Sequence, residues 1–136
     1  MSDGPLKLIV VEDEFLVATM IEDMLVEGGH VVLGIADDYD SALALAEASR
    51  PDLALLDVQL IGPRTGLDIA RELSNRGVAC MFSTGNCPGE KARGLALACL
   101  HKPFSQRDLL AAVDAARQIM LGLAPTATPR PMHVIR

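Results

Sequence analysis

Apolar residues along this chain fall into short unbroken runs that alternate with stretches of helical periodicity. The run Leu6-Lys7-Leu8-Ile9-Val10-Val11 is almost wholly apolar, as a strand buried on both faces requires, and it stops at Glu12-Asp13-Glu14. Val17, Met20, Ile21, Met24 and Leu25 follow at helical spacing, with Gly28-Gly29 as the stop. The alternation then repeats. Residues 30–36 read as a second strand, 41–49 as a second helix broken by Pro51, and 52–56 as a third strand running into Asp57. A loop with Gly62 and Pro63 leads to a helix over 67–75 that Gly77 closes, and 78–82 is the fourth strand.

Residues 84–98 carry Gly85, Pro88, Gly89 and Gly94, and each interior Gly costs a helix about 1 kcal/mol relative to Ala, so no helix is assigned there. Cys99-Leu100-His101 fits a short fifth strand. Ser105 and Asp108 resemble a capping box, with Asp in place of the usual Glu, before a helix through Leu109, Leu110, Val113, Ala116, Ile119 and Met120 to Gly122. Strands alternating with helices imply an α/β fold: a doubly wound five-stranded parallel sheet of flavodoxin-like order, (βα)5. The domain is expected over residues 1–121. The remainder, 122–136, holds three prolines and no periodicity and reads as a flexible C-terminal tail.

Composition narrows the function classes. The 136 residues suffice for one core, and with aromatics at 3% that core must be packed from small aliphatic side chains. The net charge of −6 disfavours nucleic acid and anionic membrane surfaces, both of which select clustered Lys and Arg. Cys80, Cys87 and Cys99 match no Cys-x-x-Cys pattern, so they read as free thiols of a reducing cytosol. With no basic-plus-apolar leader and no uncharged apolar stretch of membrane length, the expected location is cytoplasmic.

Candidate chemistry appears when the carboxyl end of each strand is read in turn. Strand one delivers Glu12 and Asp13, strand three Asp57, strand four Ser83 and Thr84, and strand five Lys102 followed by Pro103. Singly, each has a bland explanation: acidic residues after a strand favour a helix N-terminus, and Lys-Pro is a common loop. Jointly, three carboxylates at one sheet edge repel each other and call for a cation, and Mg²⁺ prefers a few carboxylates with water and phosphate oxygens. A Lys ammonium and a Thr hydroxyl at the same rim suit phosphoryl oxygens, and a carboxylate can itself accept a phosphoryl group.

Four ordered motifs resemble the receiver domains of two-component response regulators: Leu8-Ile9-Val10-Val11-Glu12-Asp13-Glu14, Leu55-Leu56-Asp57-Val58, Thr84-Gly85 and Lys102-Pro103-Phe104. The resemblance covers residues 6–121. It implies that Asp57 is the phosphoacceptor and that Mg²⁺ is held by Glu12, Asp13, Asp57 and the backbone carbonyl of Gln59. It further implies that Thr84 is the switch hydroxyl, that Lys102 is the phosphate partner, and that the bond before Pro103 is a cis-peptide candidate. Phe82-Ser83-Thr84-Gly85 and the short segment after it look like the alphaproteobacterial "FATGUY" subgroup, often single-domain regulators. The implied partners are a sensor histidine kinase or phosphotransfer protein and a downstream protein, with a second copy of the chain as a further candidate.

The sequence departs from the family pattern at three places. Glu12 stands where Asp is commoner, the loop after Asp57 looks one residue longer, and Cys99 occupies the place of a switch Tyr or Phe. Without that aromatic, the signal is expected to leave through reorganisation of residues 86–98, which Thr84 would pull through Gly85. Two alternatives compete with the stand-alone phosphoacceptor. A small aspartyl-phosphate hydrolase would usually carry Asp where this chain has Gln59. A degenerate, phosphorylation-independent receiver would have no need of Asp13, Asp57, Thr84 and Lys102 together.

Overall fold

The computed structural model describes residues 4–135, so residues 1–3 of the expected domain and Arg136 of the expected tail lie outside it. Six strands, β1 (Lys7–Val11), β2 (Val31–Ala36), β3 (Leu53–Leu56), β4 (Ala79–Thr84), β5 (Ala98–His101) and β6 (Met132–Val134), form one sheet in the order β2-β1-β3-β4-β5-β6. All neighbours are parallel except β5 and β6, which run antiparallel. Four α-helices cover the faces: α1 (Phe15–Glu27), α2 (Tyr39–Ser49), α3 (Gly66–Asn75) and α4 (Gln106–Met120). This is the expected α/β flavodoxin-like fold, and β1, β3 and β4 are buried almost throughout because helices lie on both sides.

Alternation along the strands divides the core in two. Leu8, Val10, Leu53, Leu55, Met81 and Leu100 face α1 and α4, where Ala18, Ile21, Leu25, Leu109 and Val113 meet them. Ile9, Val11, Ala54, Leu56, Cys80 and Phe82 face α2 and α3, against Ala42, Ala46, Ile69 and Leu73. The scarcity of aromatics shows here: Phe82 is the largest fully buried side chain, and alanines line much of the helix faces. Capping is explicit. Ser105 Oγ accepts the Asp108 N–H at 3.0 Å while Asp108 accepts the Ser105 N–H at 3.4 Å, which fixes the start of α4 directly after β5.

Three differences from the sequence expectation stand out. Between β4 and β5, where a (βα)5 count requires a fifth helix but the glycines spoke against one, the chain forms only a 3₁₀ turn, Gly89–Ala92, which opens on left-handed Gly89 (φ +64°) and is followed by left-handed Gly94 (φ +79°), where a β-carbon would be strained. Residues 122–135 do not run as a featureless tail: Met132–Val134 pair with β5, and buried Met132 enters the α1/α4 core layer. Covering the exposed edge of β5 satisfies backbone groups that would otherwise face solvent. The third difference concerns thiols. Cys87 and Cys99 are joined in a disulfide, which corrects the expectation of three free cysteines; only Cys80 is free. Twelve residues apart in sequence, the two are brought together because the segment after β4 folds back over β5 on the α2/α3 side. Among the described residues, no helix is long and apolar enough to cross a membrane.

Candidate functional site

Because β1 is followed by β2 on one side and β3 lies on the other, the helices after β1 and β3 leave in opposite directions and a crevice opens at the carboxyl ends of these strands. Glu12 and Asp13 follow β1 and Asp57 follows β3. Backbone bonds fix their depth: the Glu12 N–H donates to the Ala36 carbonyl and the Asp57 N–H to the Val11 carbonyl, both at 2.9 Å. The loop after Asp57 then turns tightly onto α3. Gly66 donates to the Val58 carbonyl at 2.8 Å, and a β-carbon on Gly66 would collide with the Asp57 carbonyl oxygen.

Carboxylate oxygens of Glu12, Asp13 and Asp57 lie within 4.8 Å of one another. Glu12 is buried at 3% exposure, Asp57 is half-buried, and Asp13 is open enough to meet solvent. Lys102, placed by β5 and by its N–H bond to the Thr84 carbonyl at 2.9 Å, reaches back across the strand ends. Its Nζ donates to Glu12 Oε1 in a short contact and to Asp57 Oδ2 at 3.1 Å. The Gln59 N–H donates to Asp57 Oδ1 at 3.1 Å and the Glu14 N–H to Glu12 Oε2 at 3.1 Å, so each oxygen of both carboxylates has a donor. The Lys102–Pro103 peptide is cis.

One ammonium facing three carboxylates leaves an excess of negative charge. Burial, together with the neighbouring Asp57 charge, holds the Glu12 carboxyl above its ordinary value, although the bonds from Lys102 and Glu14 work the other way. For Lys102, burial pulls its ammonium down, but the Glu12 bond and the charges of Asp57 and Glu12 outweigh it and hold the group above its ordinary value. Both directions mean that the pocket retains protons, and a divalent cation would relieve the same imbalance. The donor set, three carboxylates and no nitrogen or sulfur, fits a hard cation such as Mg²⁺.

Thr84 closes β4 at 1% exposure, and its Oγ1 accepts the Asn86 N–H in a long bond of 3.4 Å. Ser83 is also buried, and its Oγ has no hydrogen-bond partner among the described residues. The strand ends thus gather Glu12, Asp13, Asp57, Thr84 and Lys102 around one crevice, with Gln59 on its rim through the backbone bond to Asp57. What sequence reasoning missed beside the site is the covalent link of Cys87 to Cys99. A signal existed: Cys87 follows Thr84 by three residues and Cys99 precedes Lys102 by three, so both flank site residues on adjacent strands.

Comparisons with known proteins identify the family and the fold. The model of the response regulator receiver domain family matches residues 8–114. The chain is 36% identical over 118 residues to the transcriptional regulatory protein PdtaR of Mycobacterium tuberculosis, covering 82% of this chain and 57% of that protein. Its structure superposes on the response regulator PhyR from Brucella abortus with a TM-score of 0.76 at 32% identity, covering 87% of this chain and 50% of the other. The receiver domain of NtrX from Brucella abortus gives a TM-score of 0.73 at 29% identity, with 80% and 96% covered. The chain therefore spans about half the length of the longer relatives and nearly all of an isolated receiver domain.

Proposed function

This chain belongs to the response regulator receiver domain family of two-component systems, and we propose that it works there as a cytoplasmic phosphoacceptor whose modified residue is Asp57. The observation that carries the reading is the bridge Lys102 makes between Glu12 and Asp57 inside a three-carboxylate crevice. A structural ion pair would need one acid; the additional acids make sense as a cation site beside a nucleophilic carboxylate.

Glu12, Asp13, Asp57 and the Gln59 carbonyl would hold Mg²⁺, which supplies charge neutralisation at the phosphoryl oxygens. The chain's own residues do the rest. An oxygen of Asp57 attacks the phosphorus of a donor phosphohistidine; the P–N bond breaks as the acyl-phosphate P–O bond forms, and the histidine leaves. Lys102 exchanges its bond to the Asp57 carboxylate for one to a phosphoryl oxygen. Thr84 gives up the weak Asn86 contact and donates its hydroxyl to another, drawing Gly85 and the following segment after it.

A surface for the donor lies next to the crevice. Phe15 and Leu16 at the start of α1 are 75% and 82% exposed, and Met20 extends the same patch one turn on. Exposed apolar side chains beside an acidic pocket suit a kinase or phosphotransfer protein presenting its histidine to Asp57. The switched segment would then meet a downstream protein. Fluorine NMR with beryllofluoride, which mimics a phosphoryl group on a carboxylate, tests the assignment. Bound signals are expected only with Mg²⁺ present and Asp57 intact; the same signals in Asp57→Asn would remove Asp57 from the role.

A further inference from the structure

The Cys87–Cys99 bond ties the connection that leaves β4 at Thr84 to β5, the strand that runs on into Lys102. The first part of that connection is lightly held otherwise. Within residues 85–94, Ala92 is the only buried residue, and the Glu90–Arg93 ion pair lies in solvent. The later part is better anchored: Leu95, Ala96 and Leu97 pack against the core, Ser74 Oγ donates to the Leu95 carbonyl, and Leu97 donates to the Cys80 carbonyl and accepts from the Ile135 N–H, all three bonds at 2.8 Å. Cys99, by contrast, is rooted in the sheet at 1% exposure, paired with Phe82 of β4 and His133 of β6. The disulfide therefore ties a lightly held stretch of loop to a buried strand of the sheet.

We propose that Cys87 and Cys99 form a thiol–disulfide exchange site whose redox state sets whether the segment between Thr84 and Lys102 can move. What that movement serves rests on the phosphoacceptor reading of Asp57; whether it occurs does not. Half-buried Cys87 offers the accessible sulfur. A thiolate of a small thiol such as glutathione attacks Cys87 Sγ; the Cys87–Cys99 bond breaks, and Cys99 leaves as a thiolate and takes up a proton. A second glutathione thiolate attacks the mixed disulfide, releasing the Cys87 thiol and oxidised glutathione. Two electrons pass from two thiols to the protein, and oxidised glutathione reverses the sequence. Cys80 stays outside this chemistry, because burial pushes its thiol up to about 12 and leaves no thiolate to react.

The test equilibrates the whole protein with reduced or with oxidised glutathione, without phosphodonor, and follows amide exchange and iodoacetamide labelling. In oxidised glutathione only denatured, reduced samples should label at Cys87 and Cys99; in reduced glutathione the native protein should label at Cys87. Reduction should speed exchange in residues 86–98 at least about ten-fold while β1 is unchanged. Cys87→Ser should show the fast pattern in both buffers. Equal exchange in the two redox states, or labelling of Cys87 in the protein equilibrated with oxidised glutathione, would overturn the inference. Adding beryllofluoride and Mg²⁺ afterwards separates the two readings: a segment freed by reduction yet indifferent to beryllofluoride supports the redox lock and counts against Asp57.

Discussion

Lys102 and a divalent cation compete for the same carboxylates. With the ammonium on Glu12 and Asp57, part of the negative charge that would attract Mg²⁺ is already neutralised. Lys102→Ala should therefore bind Mg²⁺ several-fold more tightly, on the order of 1 kcal/mol, which is what two unit charges about 4 Å apart exchange in water. It should also lose phosphorylation or its read-out while remaining folded, because Lys102 belongs to neither core layer. Asp13→Asn should remove most of the Mg²⁺ binding. Isothermal titration of the three proteins distinguishes these outcomes, and weaker binding by Lys102→Ala would contradict the competition. The pH dependence follows from the same charges. Glu12 must be ionised to bind metal and its carboxyl lies above the ordinary 4.5, so affinity should begin to fall at a pH above that value as acid is added.

At the scale of elements, His30 links the start of the sheet to the end of α1. Its Nδ1 accepts the Leu6 N–H at 3.1 Å, which requires that nitrogen to be unprotonated. Burial, with the Arg117 charge adding to it, holds the imidazole below its ordinary 6.5. A depressed value means the neutral form is favoured in the native state, so the stability it contributes is complete above 6.5 and is lost as pH falls below it. Thermal melts should show the wild type losing stability more steeply below pH 6.5 than His30→Asn, whose side-chain carbonyl can accept without titrating. Parallel slopes would count against it. The elements themselves were largely legible. Continuous apolar runs such as Leu53 to Leu56 mark strands buried on both faces, and Ser105 with Asp108 marked α4. The segment after Thr84 was legible only as an absence of helix, since nothing local in Cys87 or Cys99 specifies that each is the other's partner.

For the whole molecule, the crevice could be anticipated because alternating strands and helices force the strand ends to one rim, collecting Glu12, Asp57 and Lys102 from distant positions. The sixth strand could not. Three residues between Pro131 and the chain's last residues are too short to show periodicity, and their strand character comes from the β5 edge they cover. Met132→Ala tests whether this segment belongs to the cooperative unit. It should cost about 2 kcal/mol, the lower end for a buried Met at a site that can collapse, with the loss read from chemical denaturation. No change would mean that β6 opens independently. The α1 patch makes a second prediction at this scale. Phe15→Ser with Leu16→Ser should slow phosphotransfer from a protein donor while leaving phosphorylation by acetyl phosphate unchanged; equal slowing of both would place those residues in the site itself.

Incubation with acetyl phosphate and Mg²⁺, followed by intact-mass measurement and peptide mapping, addresses the central claim directly. The wild type should gain the mass of a single phosphoryl group, labile to alkali and mapped to Asp57, that does not form when the metal is chelated beforehand and is absent from Asp57→Asn. The same mass gain in Asp57→Asn, or none in the wild type with metal present, would contradict it.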